Sequence, residues 1–260
     1  MPFREHAVFQ APAPTAKVWR YLDLAKYLSV LDRSALFFAR LDRLEDQFEG
    51  ALSAPSIDRS GRRSGVLGRG VLGEMRLGRP AYDRSDYERV RRSYAVNCWY
   101  LSEYESLAMW RLYAAAGAGV AICTTFERLA ASFVGAESVF IGAANYIDYD
   151  ADLMPDEDNL LHSVVHKRKS FEHERELRCM TAHFAPFPAS GPPPGTLPVD
   201  REISGAGIEV RVGLAHLIES VYVAPQRAAW ERDLIDKLTR DTYGIAVPVK
   251  HSVLDRDPIN

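Results

Sequence analysis

The hydrophobic positions of the chain change several times between the two-residue period of a strand and the longer period of a helix. Apolar runs predict strands at 17–21, 35–41, 94–101, 119–124, 138–149, 177–184, 208–212, 218–223 and 245–249. Apolar positions three or four residues apart predict helices at 24–31, 82–92, 106–116, 125–134, 160–166 and 227–243. The two kinds of element do not alternate regularly. The pattern therefore predicts an α+β single domain over 1–260, with a mixed, mainly antiparallel central sheet flanked by helices.

Two segments interrupt this periodicity. The segment 56–79 is rich in Gly, Arg and Ser, and the segment 186–206 contains the run Pro192-Pro193-Pro194. Such compositions favour irregular backbone, so both segments are predicted to be flexible insertions in the domain. The arginines of 56–79 suit a solvated loop, and they also suit a loop that meets a phosphate-bearing ligand.

Composition and charge are those of an ordinary globular protein. Of the 260 residues, 47% are hydrophobic and 26% are charged, and the formal net charge is -3. This nearly balanced charge gives no sign of a broad nucleic-acid-binding surface, which needs a basic excess. No apolar run approaches the roughly 20 residues of a membrane span, and no leader peptide is evident. We therefore expect a cytoplasmic protein without a membrane partner.

The common catalytic motifs are missing. The sequence has no P-loop, no Gly-x-Ser-x-Gly and no His-Glu-x-x-His, and Gly68-Arg69-Gly70 does not follow a predicted strand as a dinucleotide-binding motif must. The three cysteines, Cys98, Cys123 and Cys179, lie far apart in apolar contexts. They are typical of buried structural thiols, so no metal site is predicted.

The stretch 167–178 combines basic and acidic side chains just before an apolar run. As a helix it would place Glu172 and Glu176 on one face, in a solvated surface with several ion pairs. As a strand it would point Glu172, Glu174 and Glu176 to one side, where three like charges require a cationic partner. The sequence leaves both interpretations open, and the second one allows an active site.

Polar and aromatic side chains near predicted strand ends are further candidates. Arg20, next to Tyr21, has a planar guanidinium that can bind a phosphate or diphosphate, although a surface arginine fits equally well. Trp110 and Tyr113 are three residues apart and share a helix face. They suit a hydrophobic core, and they also suit stacking on a nucleobase.

Several segments resemble a bacterial family known as domain of unknown function 2971. They are Trp19-Arg20-Tyr21, Leu36-Phe37-Phe38-Ala39, the segment 44–50, Asn97-Cys98-Trp99, the segments 105–113, 119–122 and 169–178, and Val221-Tyr222-Val223-Ala224-Pro225. The most specific patterns are Met-Trp-x-x-Tyr at 109–113 and Lys-x-x-x-x-Glu-x-Glu-x-Arg at 169–178. The chain departs from the family at Asp46-Gln47-Phe48-Glu49, where Asp-Pro-Phe-Glu is expected.

The order of these parts is similar to that of the ADP-ribosyltransferase superfamily. This second resemblance implies an NAD-consuming enzyme that acts as a bacterial toxin or a phage-defence effector. Arg20, beside Tyr21, would then hold the diphosphate or ribose of NAD, and Trp110 or Tyr113 would pack against the nicotinamide. A carboxylate at Glu174 or Glu176 would stabilise the positively charged ribosyl group. The acceptor would be a macromolecule, either protein or nucleic acid.

Two other functions remain open at this point. A metal-dependent nuclease would assemble Asp46, Glu49, Glu174 and Lys169, although the usual Asp…Glu-x-Lys spacing is absent. A non-enzymatic binding module would use 167–178 as a charged helix.

Overall fold

The computed structural model describes residues 2–64, 84–114, 119–155, 161–184 and 199–258. Within these ranges the chain forms an α+β domain, and all its strand pairs are antiparallel except β11 with β12 and β6 with β7. The predicted α+β class with a mainly antiparallel central sheet is confirmed. In the described parts, no helix is long and apolar enough to cross a membrane.

The elements follow the chain as a mixture of short strands and helices. The strands are β1 Lys17–Asp23, β2 Ala35–Arg40, β3 Tyr94–Leu101, β4 Gly119–Thr125, β5 Phe140–Ala143, β6 Asn145–Ile147, β7 His166–Arg168, β8 Glu176–Phe184, β9 Val199–Arg201, β10 Gly207–Arg211, β11 Ser220–Val223 and β12 Val249–His251. The α-helices are α1 Leu24–Arg33, α2 Ala54–Ser64, α3 Arg84–Ser93, α4 Leu107–Tyr113, α5 Phe126–Ser132, α6 Leu161–Val165, α7 Leu214–Leu217 and α8 Ala229–Lys237. Three 3-10 helices, Leu41–Arg43, Lys169–Glu174 and Val253–Asp255, and a π-helical turn, Leu238–Thr242, complete the described elements.

The sheet is divided along one edge of β3. On its other edge β3 pairs with β8 continuously over residues 94–100. On the divided edge, within the described strands, it pairs with β2 at 95–96 and with β1 at 100–101. Residues 97–99 therefore have no strand beside them on that edge. The strands β1 and β2 separate at this point and leave a cleft whose floor is β3.

Side chains make hydrogen bonds across the cleft where the ladder between strands is missing. The Arg20 guanidinium on β1 donates through Nη1 to the carbonyl oxygen of Cys98. The amide of Asn97 donates through Nδ2 to the carbonyl oxygen of Phe37 on β2, at 2.8 Å. Buried backbone carbonyls need such partners, because leaving them unpaired costs free energy. The two side chains thus stabilise an opening in the centre of the sheet.

The helix α1 connects β1 to β2 beside the cleft. It begins where the Asp23 carboxylate accepts a hydrogen bond from the Lys26 backbone N–H at 2.8 Å, a typical N-cap. It ends at Ser34, whose left-handed conformation has φ of 47°. Tyr27, Val30 and Leu31 are buried, so the opposite side of the helix is left to face solvent or the cleft.

Four predicted segments need correction. The predicted strand 245–249 is irregular up to Pro248, which has no N–H for a strand ladder, and β12 begins only at Val249. The helix α2 covers the start of the predicted insertion 56–79, because the hydroxyl of Ser56 accepts a hydrogen bond from the Met154 N–H and fixes the first turn. Residues 65–79 lie outside the described part of the chain. Of the second predicted insertion, 186–198 lies outside it too, and 199–201 form β9 because they pair with the end of β8. The predicted strand 138–149 is two strands, which pair with different partners, β8 and β7.

Candidate functional site

A cavity of about 720 Å³ occupies the cleft in the sheet. Its walls come from β1, α1, β2, the turn at 43–49, α4 and the segment 167–176, and its floor is β3. A volume of this size is typical of pockets for small molecules and cofactors. The polar and charged lining residues are Arg20, Tyr21, Lys26, Ser29, Arg33, Arg43, Glu45, Asp46, Glu49, Cys98, Tyr100, Tyr113, Lys167, Glu174, Glu176 and Glu209.

The stretch 167–178 is neither the helix nor the strand that its sequence allowed. It runs from β7 through a 3-10 helix into β8, and the two are joined at Arg175, which has φ of 38°. This left-handed turn lets Glu174, before it, and Glu176, after it, reach the same ammonium group of Lys167. Glu172 is exposed. The solvated helix proposed for a binding module is therefore wrong, and two of the three carboxylates point inward.

Arg178 is the centre of a buried ion cluster. Its side chain is fully buried, and Nε donates to Glu176 Oε1 at 2.7 Å while Nη2 donates to Glu49 Oε1 at 2.7 Å. The third nitrogen, Nη1, donates to the carbonyl oxygen of Val164. Burial alone lowers the pKa of Arg178, but the attraction of Glu176 and Glu49 outweighs burial and raises it. The guanidinium is therefore permanently charged.

Lys167 extends the cluster towards the cavity. Its ammonium nitrogen donates to Glu176 Oε2 at 2.9 Å and to Glu174 Oε2, and it lies 3.8 Å from Glu49 Oε1. Burial alone raises the pKa of Glu176, but Arg178 and Lys167 outweigh it and hold that pKa below its usual range. Both oxygens of Glu176 are occupied by cations. Glu174 is less enclosed, with 12% of its side chain exposed.

The sequence named a functional role for Glu49 only in the nuclease alternative. The structure places its side chain inside the ion cluster, with 1% of it exposed. Its neighbour Asp46 binds Arg168 at 2.7 Å. The signal that pointed to this turn was its partial match to the expected Asp-Pro-Phe-Glu, from which only the proline is missing. No local pattern connects Glu49 with Arg178, because the two residues are far apart in sequence.

The structure brings Arg20 and the two inward carboxylates to the same cavity. Besides its bond to Cys98, the Arg20 side chain has a buried Nε–H without a hydrogen-bond partner among the described residues. Burial lowers the pKa of Arg20 from its ordinary value. An anion in the cavity would satisfy the donor and restore the solvation that burial removes.

Tyr113 and Tyr21 both line the cavity, as predicted for substrate-binding residues, although their roles remain predictions. The Tyr113 hydroxyl donates to Glu174 Oε1 at 3.1 Å and so links α4 to the acidic end. The Tyr21 hydroxyl accepts the Ser106 N–H at 2.8 Å, which orients its ring. Burial raises the pKa of both phenols, so both stay protonated at neutral pH.

Trp110 is absent from the residues that line the cavity, which corrects its predicted place beside a nicotinamide. Its ring is buried, packs edge-on against Tyr21 at 4.9 Å between centroids, and donates through Nε1 to Glu105 Oε2 at 2.8 Å. Glu105 also accepts from the Ser252 hydroxyl and the Val253 N–H. Trp110 therefore anchors α4 to the end of the described chain and positions Tyr113 indirectly.

The residues proposed for a nuclease do not form an open metal site. The Lys169 ammonium binds Asp152 at 3.1 Å and does not line the cavity, and Asp46 and Glu49 are each held by an arginine. Among the described residues, no group of three or more His, Cys, Asp or Glu side chains is placed to hold a metal ion.

Known proteins show little similarity to this chain. No family model and no curated protein matches the chain, so the resemblance to domain of unknown function 2971 stays a prediction. One solved structure that matches is DarT from Thermus sp. 2.9 in complex with ADP-ribosylated ssDNA. The identity is 10%, the match covers 95% of this chain and 97% of that chain, and the TM-score is 0.38. A similarity at this level gives no information about the residues of the site.

The ion cluster predicts how stability depends on acid. Because the folded pKa of Glu176 is lower than that of an unfolded glutamate, its contribution is complete above the unfolded value and is lost as the pH falls below it. The free energy of unfolding should therefore decrease between about pH 5 and pH 2. In Glu176→Gln this slope should be shallower. Urea unfolding at a series of pH values measures it, with the exposed Glu172→Gln as control, and equal slopes in wild type and Glu176→Gln would contradict the assignment.

Proposed function

We propose that this protein is an NAD-consuming ADP-ribosyltransferase whose active site is the cavity in the divided sheet. The observation that supports the proposal is the placement of Arg20 and Glu174 on one cavity, with an arginine donor and a carboxylate available to the same ligand. NAD has a diphosphate that needs a cationic partner. It also has a ribose that becomes positively charged when nicotinamide leaves.

Four cationic residues line the cavity and suit the diphosphate. Lys26 and Arg33 belong to α1, Arg20 to β1, and Arg43 to the turn after β2. Lys26 and Arg33 are exposed and make ion pairs with Asp23, which is half-buried, and with Glu209, and such pairs near the surface are weak enough to exchange for a phosphate. The Arg20 guanidinium is held in place by its bond to the Cys98 carbonyl oxygen, and its Nε–H has no partner among the described residues.

Glu174 is the carboxylate best placed to act on the ribose. Both oxygens of Glu176 are occupied by Arg178 and Lys167, so Glu176 positions the cluster and does not meet the substrate. Glu174 lies nearer solvent, and Tyr113 and Lys167 hold one oxygen each. A carboxylate fixed by two donors keeps its orientation and still presents negative charge to the cavity.

In the proposed reaction the bond between the nicotinamide nitrogen and the ribose carbon breaks, and nicotinamide leaves with the bonding electrons. The sugar carbon gains positive charge, which Glu174 stabilises electrostatically. A nucleophilic oxygen or nitrogen of a protein or nucleic-acid acceptor then donates a lone pair to that carbon and loses its proton to solvent. The Lys167 ammonium and the Tyr113 hydroxyl hold the two oxygens of Glu174 in place during this step.

The proposal is tested by incubating purified protein with NAD labelled in the adenylate, in the presence of total protein or nucleic acid. We expect release of nicotinamide and transfer of the label to one acceptor class. Arg20→Met should lower kcat/KM for NAD by about 10- to 150-fold, because it removes hydrogen bonds to a charged group. Arg111→Met changes an exposed arginine of α4 outside the cavity and serves as control.

Two outcomes would contradict the proposed function. Absence of nicotinamide release and label transfer with both acceptor classes would overturn the proposal. Equal losses in Arg20→Met and Arg111→Met would also contradict it, since only Arg20 lines the cavity.

A further inference from the structure

Glu49 has a polar atom that the protein leaves without a partner. Its Oε1 accepts from Arg178 Nη2 at 2.7 Å and lies 3.8 Å from the Lys167 ammonium. Its Oε2 is buried and makes no hydrogen bond to any described residue. The residue is 2% exposed, yet it lines the cavity together with Glu174 and Glu176. Native proteins rarely leave a buried polar atom unpaired unless a ligand or water pairs with it.

The position of Glu49 is set before any ligand arrives. The turn that carries it is closed by two hydrogen bonds to Asp46, from the Phe48 N–H to Oδ1 at 3.0 Å and from the Glu49 N–H to the carbonyl oxygen at 3.2 Å. Asp46 is bound in turn by Arg168. Gly50 follows with φ of 81°, a conformation that favours glycine. The unpaired oxygen is therefore held by the fold in the way that binding groups are preorganised.

The charges around Glu49 select the kind of group that can pair with its Oε2. Arg178 and Lys167 are the cations that act on Glu49, and Glu176 is the carboxylate that does so. Burial, and after it the charge of Glu49, raises the pKa of the Tyr149 phenol. A cationic ligand group would meet Lys167 and Arg178, and an anionic one would meet Glu176. A neutral group avoids both repulsions.

A hydroxyl suits this oxygen. Arg178 occupies Oε1 of Glu49, so Oε2 is left as an acceptor for a ligand donor. A hydroxyl can donate its proton to a carboxylate oxygen and has no charge of its own to meet the neighbouring ions. Glu174, which also lines the cavity, places such a hydroxyl beside the proposed reaction centre.

We propose that Oε2 of Glu49 hydrogen-bonds a sugar hydroxyl of the nucleotide, at the same end of the cavity as Glu174. This inference rests on the proposed function and adds a binding residue to it. It assigns Glu49 to recognition of the ribose from which nicotinamide leaves, while Arg20 meets the diphosphate.

Calorimetric titration with ADP-ribose and with ADP tests the assignment, because the two ligands differ in that terminal ribose and neither contains nicotinamide to lose. We expect wild type to bind ADP-ribose about 10-fold more tightly than ADP, as a hydrogen bond to a charged or buried group provides. In Glu49→Ala the preference should fall to near unity with unchanged affinity for ADP. Glu49→Gln should keep most of it. The control is Gln47→Ala, an exposed residue of the same turn.

Glu49→Asp guards against a folding defect in Glu49→Ala. Aspartate keeps a carboxylate for Arg178, but its side chain is one methylene shorter, so its second oxygen lies farther from the ligand. A folded Glu49→Asp protein should therefore also lose the preference for ADP-ribose over ADP. If circular dichroism shows either variant folded and its preference remains that of wild type, the inference is overturned and the proposed function stands. If wild type binds neither ligand, both fail together. A purely structural Glu49 would change the two affinities equally.

Discussion

Replacing Arg178 by methionine is expected to destabilise the protein by about 3–5 kcal/mol. The guanidinium is fully buried and donates to Glu176 and Glu49, which are themselves 3% and 2% exposed. Removing it leaves two buried carboxyl groups with Lys167 as their remaining cation, and breaking a buried ion pair from one side typically costs this much. Urea unfolding at neutral pH, with the slope and midpoint fitted together, measures the loss.

Two comparisons separate this explanation from a general effect of mutation in β8. Arg175→Met changes an exposed arginine three positions earlier and should alter the free energy of unfolding by about 0.5 kcal/mol or less. Adding Glu49→Gln and Glu176→Gln to Arg178→Met should recover part of the lost free energy of unfolding, because the loss comes from buried carboxylates without their cationic partner. A loss below about 1 kcal/mol in Arg178→Met would contradict a central role for the cluster.

Replacing Glu174 by glutamine is expected to lower kcat for NAD cleavage by about 100- to 1,000-fold. The substitution keeps the shape of the side chain and one acceptor oxygen, which Lys167 can use, while the amide NH2 can donate to the Tyr113 hydroxyl. It removes the charge that would face the ribosyl cation in the proposed reaction. Loss of one preorganised electrostatic contact in an active site has effects of this size. Because the change acts on the transition state, KM should move little.

Glu172→Gln is the matched control for Glu174→Gln. Glu172 lies two residues earlier in the same 3-10 helix and is exposed, so its substitution should leave kcat near the wild-type value. Melting temperatures of both variants establish that the fold is intact. Wild-type kcat in a folded Glu174→Gln protein would exclude Glu174 as the catalytic carboxylate.

The strands that form the sheet were largely predictable, because alternation of apolar residues depends only on which face is buried. The predicted strands 94–101 and 119–124 agree with β3 and β4 almost residue for residue. The divided edge of β3 was not predictable. It depends on how far β1 and β2 pair along a third strand, and local periodicity contains no information about where a partner strand diverges.

The sequence selected several residues that line the cavity, but it did not give the geometry that joins them. The resemblance selected Arg20, Tyr21, Tyr113, Glu174 and Glu176, which line one cavity. The path of 167–178 was missed because Arg175 adopts a left-handed conformation that sequence signals assign to glycine or asparagine. Trp110 was misplaced because an amphipathic helix face does not tell core packing from ligand contact, whereas its bond to Glu105 decides the matter.

The divided sheet also makes β3 a junction between three groups of strands. One group is β1 with β4, β11 and β12, another is β2 with β10, and the third is β8 with β5 and β9. A molecule seated in the cleft touches the first two groups and their shared neighbour at once, so it opposes their separation during unfolding. By mass action, a ligand at 100 times its Kd adds about 2.7 kcal/mol to the stability of the native state. If the proposed function is correct, candidate nucleotides at equal concentration should therefore be ranked by the rise in melting temperature that each one causes.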